Sequence, residues 1–332
     1  MPRPLLSCVL ACVGLCWAVN ASRAQTRRLF NDGDATLGGR TAWSDELIFY
    51  EWRIQQHAVL GNHRLLDPDD RRVVQGSYLE CFNKLLIIRQ EQRLAALPKE
   101  VVILVHGLGG YRHRMQGLGD HLARSGYAVL NFGYASTQGE ISLSAKALAS
   151  VVRNLKGVES IDFVAHSMGN LVIRRFLHDV EQMAPQDRPA VAFKRMVMIS
   201  PPNHGADILD NLENRKLAQL TADQRGGPYF ELSPDRGWAK LEPTLATPDF
   251  EFGVIVGGRG DDLGYFSEIP GDDDGLLTVA TSRLDGAADY LQTGGAHWYM
   301  TDYQEVRDAT VSFLRNGYFV SAETREPVLA TR

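Results

Sequence analysis

The stretch Ile161-Asp162-Phe163-Val164-Ala165-His166-Ser167-Met168-Gly169-Asn170-Leu171-Val172-Ile173-Arg174-Arg175-Phe176-Leu177 decides how the rest of the chain is read. A short apolar run ends at Ser167, with Ala165 two residues before it and Gly169 two after, and an apolar pattern of helical spacing follows. That is strand, sharp turn and helix, with a hydroxyl at the apex. Such a turn holds its serine in strained backbone with Oγ pushed outward, and the small flanking residues leave it room. Small-x-Ser-x-Gly alone is a common coincidence, and the flanking strand and helix are what give it weight. A serine used this way needs an oxyanion donor upstream, then an acid and a histidine downstream.

Working outward, the same alternation continues on both sides. Residues 101–105 read as a buried strand ending in His106-Gly107-Leu108-Gly109-Gly110, followed by a helix over 114–125 and a strand over 127–132. Residues 141–155 read as an amphipathic helix with Ile141, Leu148, Val151, Val152 and Leu155 facing inward. Further strands are expected over 196–199, 252–258 and 288–292, with a closing helix over 303–315 that turns Val306, Thr310, Val311 and Leu314 to one face. Alternating apolar strands and helices predict an α/β fold, a mostly parallel central sheet with helices on both faces. Residues 206–249 interrupt it with Leu209, Leu212, Leu217, Leu220, Tyr229, Phe230, Trp238 and Leu241 among prolines and glycines. This insertion reads either as a lid over a pocket or as an excursion packing on itself.

Length and charge bound the rest. The 332 residues suffice for one α/β domain with embellishments. The formal net charge is −5, and no basic block stands out, so nucleic acid is not an expected partner. Residues 1–24 read as a secretory signal, with Arg3, an apolar run over 5–19 and Ser22-Arg23-Ala24 as a small-x-small cleavage site. The protein is thus expected to be exported, to the periplasm or the medium. An uncleaved anchor is the alternative, although the run is short for a membrane span. Cys8, Cys12 and Cys16 lie inside this segment, which leaves Cys81 alone and no intramolecular disulfide in a processed chain. Residues 25–40 read as a flexible lead-in, 43–52 as helix, 53–60 as extended, 65–70 as a turn and 77–97 as helix. The whole of 25–99 is expected to pack on a core at 100–317 without chemistry of its own, with His57 and His63 structural or solvated. Residues 318–332 read as a frayed polar tail.

Acyl transfer needs two N–H groups for the tetrahedral oxyanion, one following the nucleophile and one on the loop after an earlier strand. Met168 and Leu108 occupy those positions, and Gly107, Gly109 and Gly110 permit close approach of the backbone. His106 is better placed to brace that loop than to act as a base, and His204 reads as structural. Downstream, His297 in Gly294-Gly295-Ala296-His297 is the sole histidine after His204, so a Ser–acid–His order requires His297 or the less suitable His204. The acid stays open on position alone: Asp272, Asp273 and Asp274 compete with Asp261 and Asp262, which follow the strand expected over 252–258. The aspartate run also reads as a solvated turn or a weak calcium site.

These pieces resemble the α/β-hydrolase superfamily, and more narrowly compact bacterial lipases and lipase-like serine esterases. The likeness rests on Val-His-Gly-Leu-Gly-Gly at 105–110, Ala-His-Ser-Met-Gly at 165–169, Asp-Gly-Leu-Leu at 274–277 and Gly-Gly-Ala-His at 294–297, and it covers about residues 101–317. Ala165 stands where glycine is usual, and Asn170 where a second glycine is common. The family sets its acid immediately before a Gly-Leu-Leu type of step, which selects Asp274. The resemblance implies an α/β-hydrolase fold with a lid-like insertion, and a catalytic triad of Ser167, Asp274 and His297. It further implies an oxyanion hole from Leu108 and Met168, no metal or organic cofactor, and a small-molecule or lipid ester as substrate, with contact at a lipid interface. The alternatives are an acyltransferase or deacylase acting on lipid or cell-envelope esters, and a binding protein that keeps the fold without turnover. Asp274→Asn is expected to depress ester hydrolysis far more than Asp262→Asn; equal losses in a side-by-side kcat/KM assay would reject Asp274 as the acid.

Overall fold

The computed structural model describes residues 42–206, 227–267 and 269–329. Residues 1–24, the lead-in over 25–40, Leu209, Leu212, Leu217 and Leu220 of the insertion, and the last three residues lie outside that description. The N-terminal part forms a four-stranded antiparallel meander of β1 (Trp43–Phe49), β2 (Trp52–His57), β3 (His63–Leu66) and β4 (Arg72–Gly76). Helix α1 (Tyr78–Glu91) follows, started by a Ser77–Glu80 capping box.

The helix expected over 43–52 is therefore two strands and a hairpin. Two features hid the strand period. A bulge between Asp45 and Leu47 breaks the alternation, and Leu47, Ile48 and Phe49 are buried in succession. The turn between Phe49 and Trp52 places Tyr50 at φ 53, left-handed without the Asn-Gly or Asp-Gly signal such hairpins usually carry. Strands β3 and β4 also form where no strand was expected, β3 taking Leu65 and Leu66 out of the turn expected over 65–70.

The second sheet is wholly parallel. Its strands are β5 (Glu100–Val105), β6 (Val129–Phe132), β7 (Ser160–His166), β8 (Ala192–Ile199), β9 (Glu251–Gly258) and β10 (Asp289–Gly294), in the spatial order β10-β9-β8-β7-β5-β6. The connecting helices are α2 (Gln116–Arg124), α3 (Ile141–Asn154), α4 (Gly169–Glu181) and α5 (Gln304–Asn316). Side chains on β5 separate by parity: Val101, Ile103 and Val105 join the core on the α3–α4 face, and Val102 and Leu104 that on the α2–α5 face. Both faces are buried, which is why these strands read as continuous apolar runs. The meander shares the first of these cores through Leu47, Ile48, Phe49, Trp52, Ile54 and Leu65.

A buried polar knot ties the meander to the end of β6. Arg53 Nη1 donates to Asp45 Oδ2 at 2.6 Å and to the Asn131 carbonyl at 2.7 Å. Asp45 also accepts from Gln55 Nε2 at 2.7 Å and from Gly133 N at 2.7 Å, while its own N–H donates to Gly133 O at 2.8 Å. Both charged side chains are fully buried; Arg53 Nη1 carries the pairing, while Nε and Nη2 make no hydrogen bond among the described residues and Glu51 lies 3.6 Å from Nη2.

The described leg of the insertion packs down on the domain. Leu232, Trp238, Leu241, Leu245 and Ala246 join the core, Arg174 Nε donates to Ala246 O at 2.9 Å, and Glu231 Oε2 accepts the N–H of Ile141 at 2.7 Å, capping α3 from outside its own segment. The tail is not frayed as far as residue 329. Phe319 is buried, Phe319 N and Glu326 N donate to the Asp289 carboxylate, and Val328 exchanges backbone hydrogen bonds with Gly286 and Ala287. Its polar residues hid a docking carried by one aromatic and by backbone groups.

Replacing Asp45 by Ala leaves the buried Arg53 guanidinium with the exposed Glu51, 3.6 Å away, as its remaining counter-charge, a change that costs about 3–5 kcal/mol. Urea unfolding of Asp45→Ala should show a loss of that order, and a loss under about 1 kcal/mol would reduce the knot to an ordinary surface-type ion pair.

Candidate active site

Ser167 sits between β7 and α4 with φ 55, in the left-handed region. The elbow is fixed by close approach. A Cβ at Gly169 would lie 2.5 Å from Val105 O and 2.6 Å from His106 O, and one at Gly107 would lie 2.8 Å from Ser167 Cβ. Only glycine fits at either place. Ser167 N donates to Ile199 O at 2.9 Å, and Asn170 returns its side-chain amide to Ser167 O at 2.9 Å. Asn170, at a position where the resemblance leads one to expect glycine, therefore braces the turn.

His297 follows β10, and its Nε2 lies 2.9 Å from Ser167 Oγ, a contact spanning 130 residues of sequence. On the far side of the ring, Nδ1 lies 2.8 Å from Asp274 Oδ2. The other carboxylate oxygen, Asp274 Oδ1, accepts from Leu276 N at 3.1 Å and Leu277 N at 2.9 Å, and His297 N donates to Asp274 O at 2.7 Å. Burial pushes the Asp274 carboxyl up, but the neighbouring His297, its hydrogen bond, the Leu277 N–H and the Ser200 hydroxyl together hold it below its ordinary value of 3.8. Asp274 is thus a carboxylate wherever the site is folded at neutral pH. The backbone turn that begins at Asp274 supplies the donors, which gives a physical reason for an acid immediately before Gly275-Leu276-Leu277.

The rival acids have other duties. Asp261 accepts from Leu263 N and Gly264 N, Asp272 accepts from Arg259 N and Gly260 N, and Asp273 accepts from Gly275 N at 2.6 Å and from Phe266 N. They shape the loop between β9 and β10. No group of three or more potential ligands that could hold a metal ion occurs among the described residues. His204 is exposed, 4.0 Å from Glu242, and does not line the cavity described below.

Leu108 stands on the loop after β5, and Met168 opens α4 directly behind Ser167. Neither backbone N–H has an acceptor among the described residues. The loop is braced by His106. Its ring stacks on Tyr134 at a centroid distance of 4.3 Å, its Nδ1 lies 2.9 Å from Gly107 O, and the Tyr134 hydroxyl donates to His106 O at 2.7 Å. Burial pulls this imidazole down to about 4, against the bond to Gly107, so it is neutral at neutral pH.

His166 was not singled out from the sequence, where it filled the variable place in small-x-Ser-x-Gly. Its Nε2 lies 2.9 Å from the carbonyl oxygen of His297, and the two rings are 4.9 Å apart. Burial and the neighbouring His297 pull it down to about 3. A neutral imidazole facing a carbonyl must carry its proton on Nε2, so His166 donates and holds the His297 backbone. No local sequence signal could have paired positions 166 and 297.

Ser167, His297, His166 and the 107–110 loop open onto a cavity of about 340 Å³ that Tyr111, Arg114, Met115, Trp298 and Thr301 complete. The described leg of the insertion contributes nothing to its wall. A serine hydroxyl within reach of a carboxylate-held imidazole can lose its proton as it attacks a carbonyl carbon, and two unspent N–H groups beside it can stabilise an oxyanion formed there.

The sequence profile of a family described as Domain of unknown function (DUF7379) matches residues 77–242. No curated protein matches the chain. Among solved structures, the mature form of the Bacillus licheniformis lipase BlEst2 aligns with 68% of this chain and 94% of its own, at 18% identity and TM-score 0.52. The propeptide form of that lipase aligns with 71% of this chain and 54% of its own, at 15% identity and TM-score 0.50. The Staphylococcus hyicus lipase aligns with 62% of this chain and 89% of its own, at 14% identity and TM-score 0.46. The BlEst2 likeness establishes the α/β-hydrolase fold. The profile spans half of the chain, and the chain belongs to the DUF7379 family.

A carboxyl held below its unfolded value contributes stability above about pH 4 and loses it as pH falls. The wild-type protein should therefore lose more stability between pH 6 and pH 3, on the order of those values, than Asp274→Asn does. Parallel pH profiles in urea unfolding would refute the assignment.

Proposed function

We propose that this member of the family is an exported serine hydrolase that cleaves carboxylic esters through an acyl-enzyme on Ser167. One observation carries the reading: the continuous line from Ser167 Oγ to His297 Nε2 at 2.9 Å and from His297 Nδ1 to Asp274 at 2.8 Å, set at the floor of an open cavity. Export is supported by the secretory pattern of residues 1–24. No helix among the described residues is long and apolar enough to cross a membrane.

The steps follow from the geometry. Ser167 Oγ attacks the ester carbonyl while His297 Nε2 takes its proton. Asp274 keeps the imidazole in the tautomer that presents a bare Nε2 and stabilises the cation that forms. The N–H groups of Leu108 and Met168 receive the oxyanion, each worth about 10²–10³ in rate. His297 passes the proton to the departing alcohol, and water then attacks the acyl-enzyme by the same relay. His166 stays neutral and holds the His297 backbone in register.

A fluorophosphonate probe followed by peptide mapping should label Ser167, and His297→Ala should abolish the label. Ser167→Ala should lower kcat for p-nitrophenyl acetate, octanoate or palmitate by roughly 10⁴–10⁶. A folded protein that takes no label and cleaves none of the three esters would end this reading.

A further inference from the structure

Among its described residues, the cavity in front of Ser167 carries one full formal charge, that of Arg114. Apart from the imidazoles of His106, His166 and His297, its wall among the described residues consists of neutral groups and Arg114, with no carboxylate among them. Arg114 lies on the helical turn Arg112–Met115, beside Arg112, whose charge is paired with Asp70; His113 also reaches that carboxylate. Arg114 itself has no carboxylate partner among the described residues; its Nη2 donates to the Trp298 carbonyl at 2.7 Å. A guanidinium has five N–H donors in a planar fork suited to carboxylate and phosphate, so most of its capacity is unspent. The same side chain lies close enough to His166 to help depress the protonation of that ring. An uncompensated cation at the mouth of a reactive cavity, on a chain of net charge −5, goes against the charge of the molecule as a whole.

We propose that the site prefers esters that carry an anionic group, a carboxylate or a phosphate, which pairs with Arg114 while the ester carbonyl meets Ser167. This rests on the reading of Ser167 as the nucleophile. The guanidinium is exposed, so water and salt screen the pairing and the preference is of order tenfold rather than thousandfold. Its tie to Trp298 O fixes the head group next to the residue that follows His297, which limits the rotamer freedom lost on binding.

The test uses matched esters of near-equal shape. One pair places the charge on the acyl side: p-nitrophenyl hydrogen succinate against p-nitrophenyl 4-methylpentanoate. The other places it on the alcohol side: 4-acetoxybenzoate against 4-isopropylphenyl acetate. The proposal expects the anionic member of one pair to be favoured about tenfold in kcat/KM, mainly through KM. Arg114→Gln should remove the preference, Arg114→Glu should invert it, Arg114→Lys should keep part of it, and added salt should shrink it. Which pair responds tells whether the anion rides on the acyl or the alcohol portion. Ratios within a pair cancel any general damage done by a substitution. No preference in either pair, or a preference untouched in Arg114→Gln, overturns the proposal, while hydrolysis of the neutral esters keeps the serine-hydrolase reading intact. Failure to cleave any ester, with no fluorophosphonate label on Ser167, overturns both.

Discussion

The molecule is arranged around a close approach of backbone to backbone. The first turn of α4 comes so near the end of β5 that a Cβ at Gly169 would collide with the carbonyl oxygens of Val105 and His106. That approach lets Ser167 occupy φ 55 with its hydroxyl raised above the carboxyl ends of the parallel strands. It also brings the 107–110 loop against the serine, where a side chain at Gly107 would meet Ser167 Cβ. The raised serine, the 107–110 loop and the cavity floor are thus consequences of one packing constraint, and both glycines at its centre are required for space rather than for flexibility.

Around that centre the protein supplies rigidity from unusual distances. His106 is clamped by Tyr134 just beyond β6, and the adjoining Gly133 is held by Asp45 from the meander. The N-terminal sheet therefore bears on the loop beside the serine through two consecutive residues, although it contributes no group to the cavity. On the opposite side His166 donates to the backbone of His297, so the residue before the serine positions the imidazole that meets the serine hydroxyl. Buried imidazoles at 106 and 166 suit this work, because burial keeps both neutral and each can brace the backbone without adding a charge to the site. The cation the site does carry, Arg114, stands at the rim where water can reach it.

Legibility followed the reach of each interaction along the chain. Strands β5, β7, β8 and β9 announced themselves because burial on both faces demands continuous apolar runs. The elbow announced itself because strand, small residues and helix are contiguous. Helix α5 displayed its inward face of Val306, Thr310, Val311 and Leu314, all buried. The meander did not, because the bulge at Asp45–Leu47 and the left-handed Tyr50 erase the period and the turn signal together. The tail did not, because one buried phenylalanine and a few backbone N–H groups on Asp289 leave no pattern in composition.

By itself, the sequence determined the alternating α/β order and the position of Ser167 at a strand-to-helix turn, and narrowed the downstream histidine to His297 or the less suitable His204. Each of these follows from local constraints, in which neighbouring residues must satisfy a period or a tight turn. Tertiary structure decided what depends on contacts distant in sequence. It brought His297 within 2.9 Å of Ser167 and gave Asp274 the partner and backbone donors that keep it ionised, while its neighbours Asp272 and Asp273 were turned into the loop. It paired His166 with a carbonyl 131 residues away, and it left Arg114 without a carboxylate among the described residues, beside a cavity that three stretches of chain, 106–115, 166–167 and 297–301, bring together. Hydrogen bonds of 2.7 to 2.9 Å between such positions exist only once the sheet has brought the strand ends to one edge.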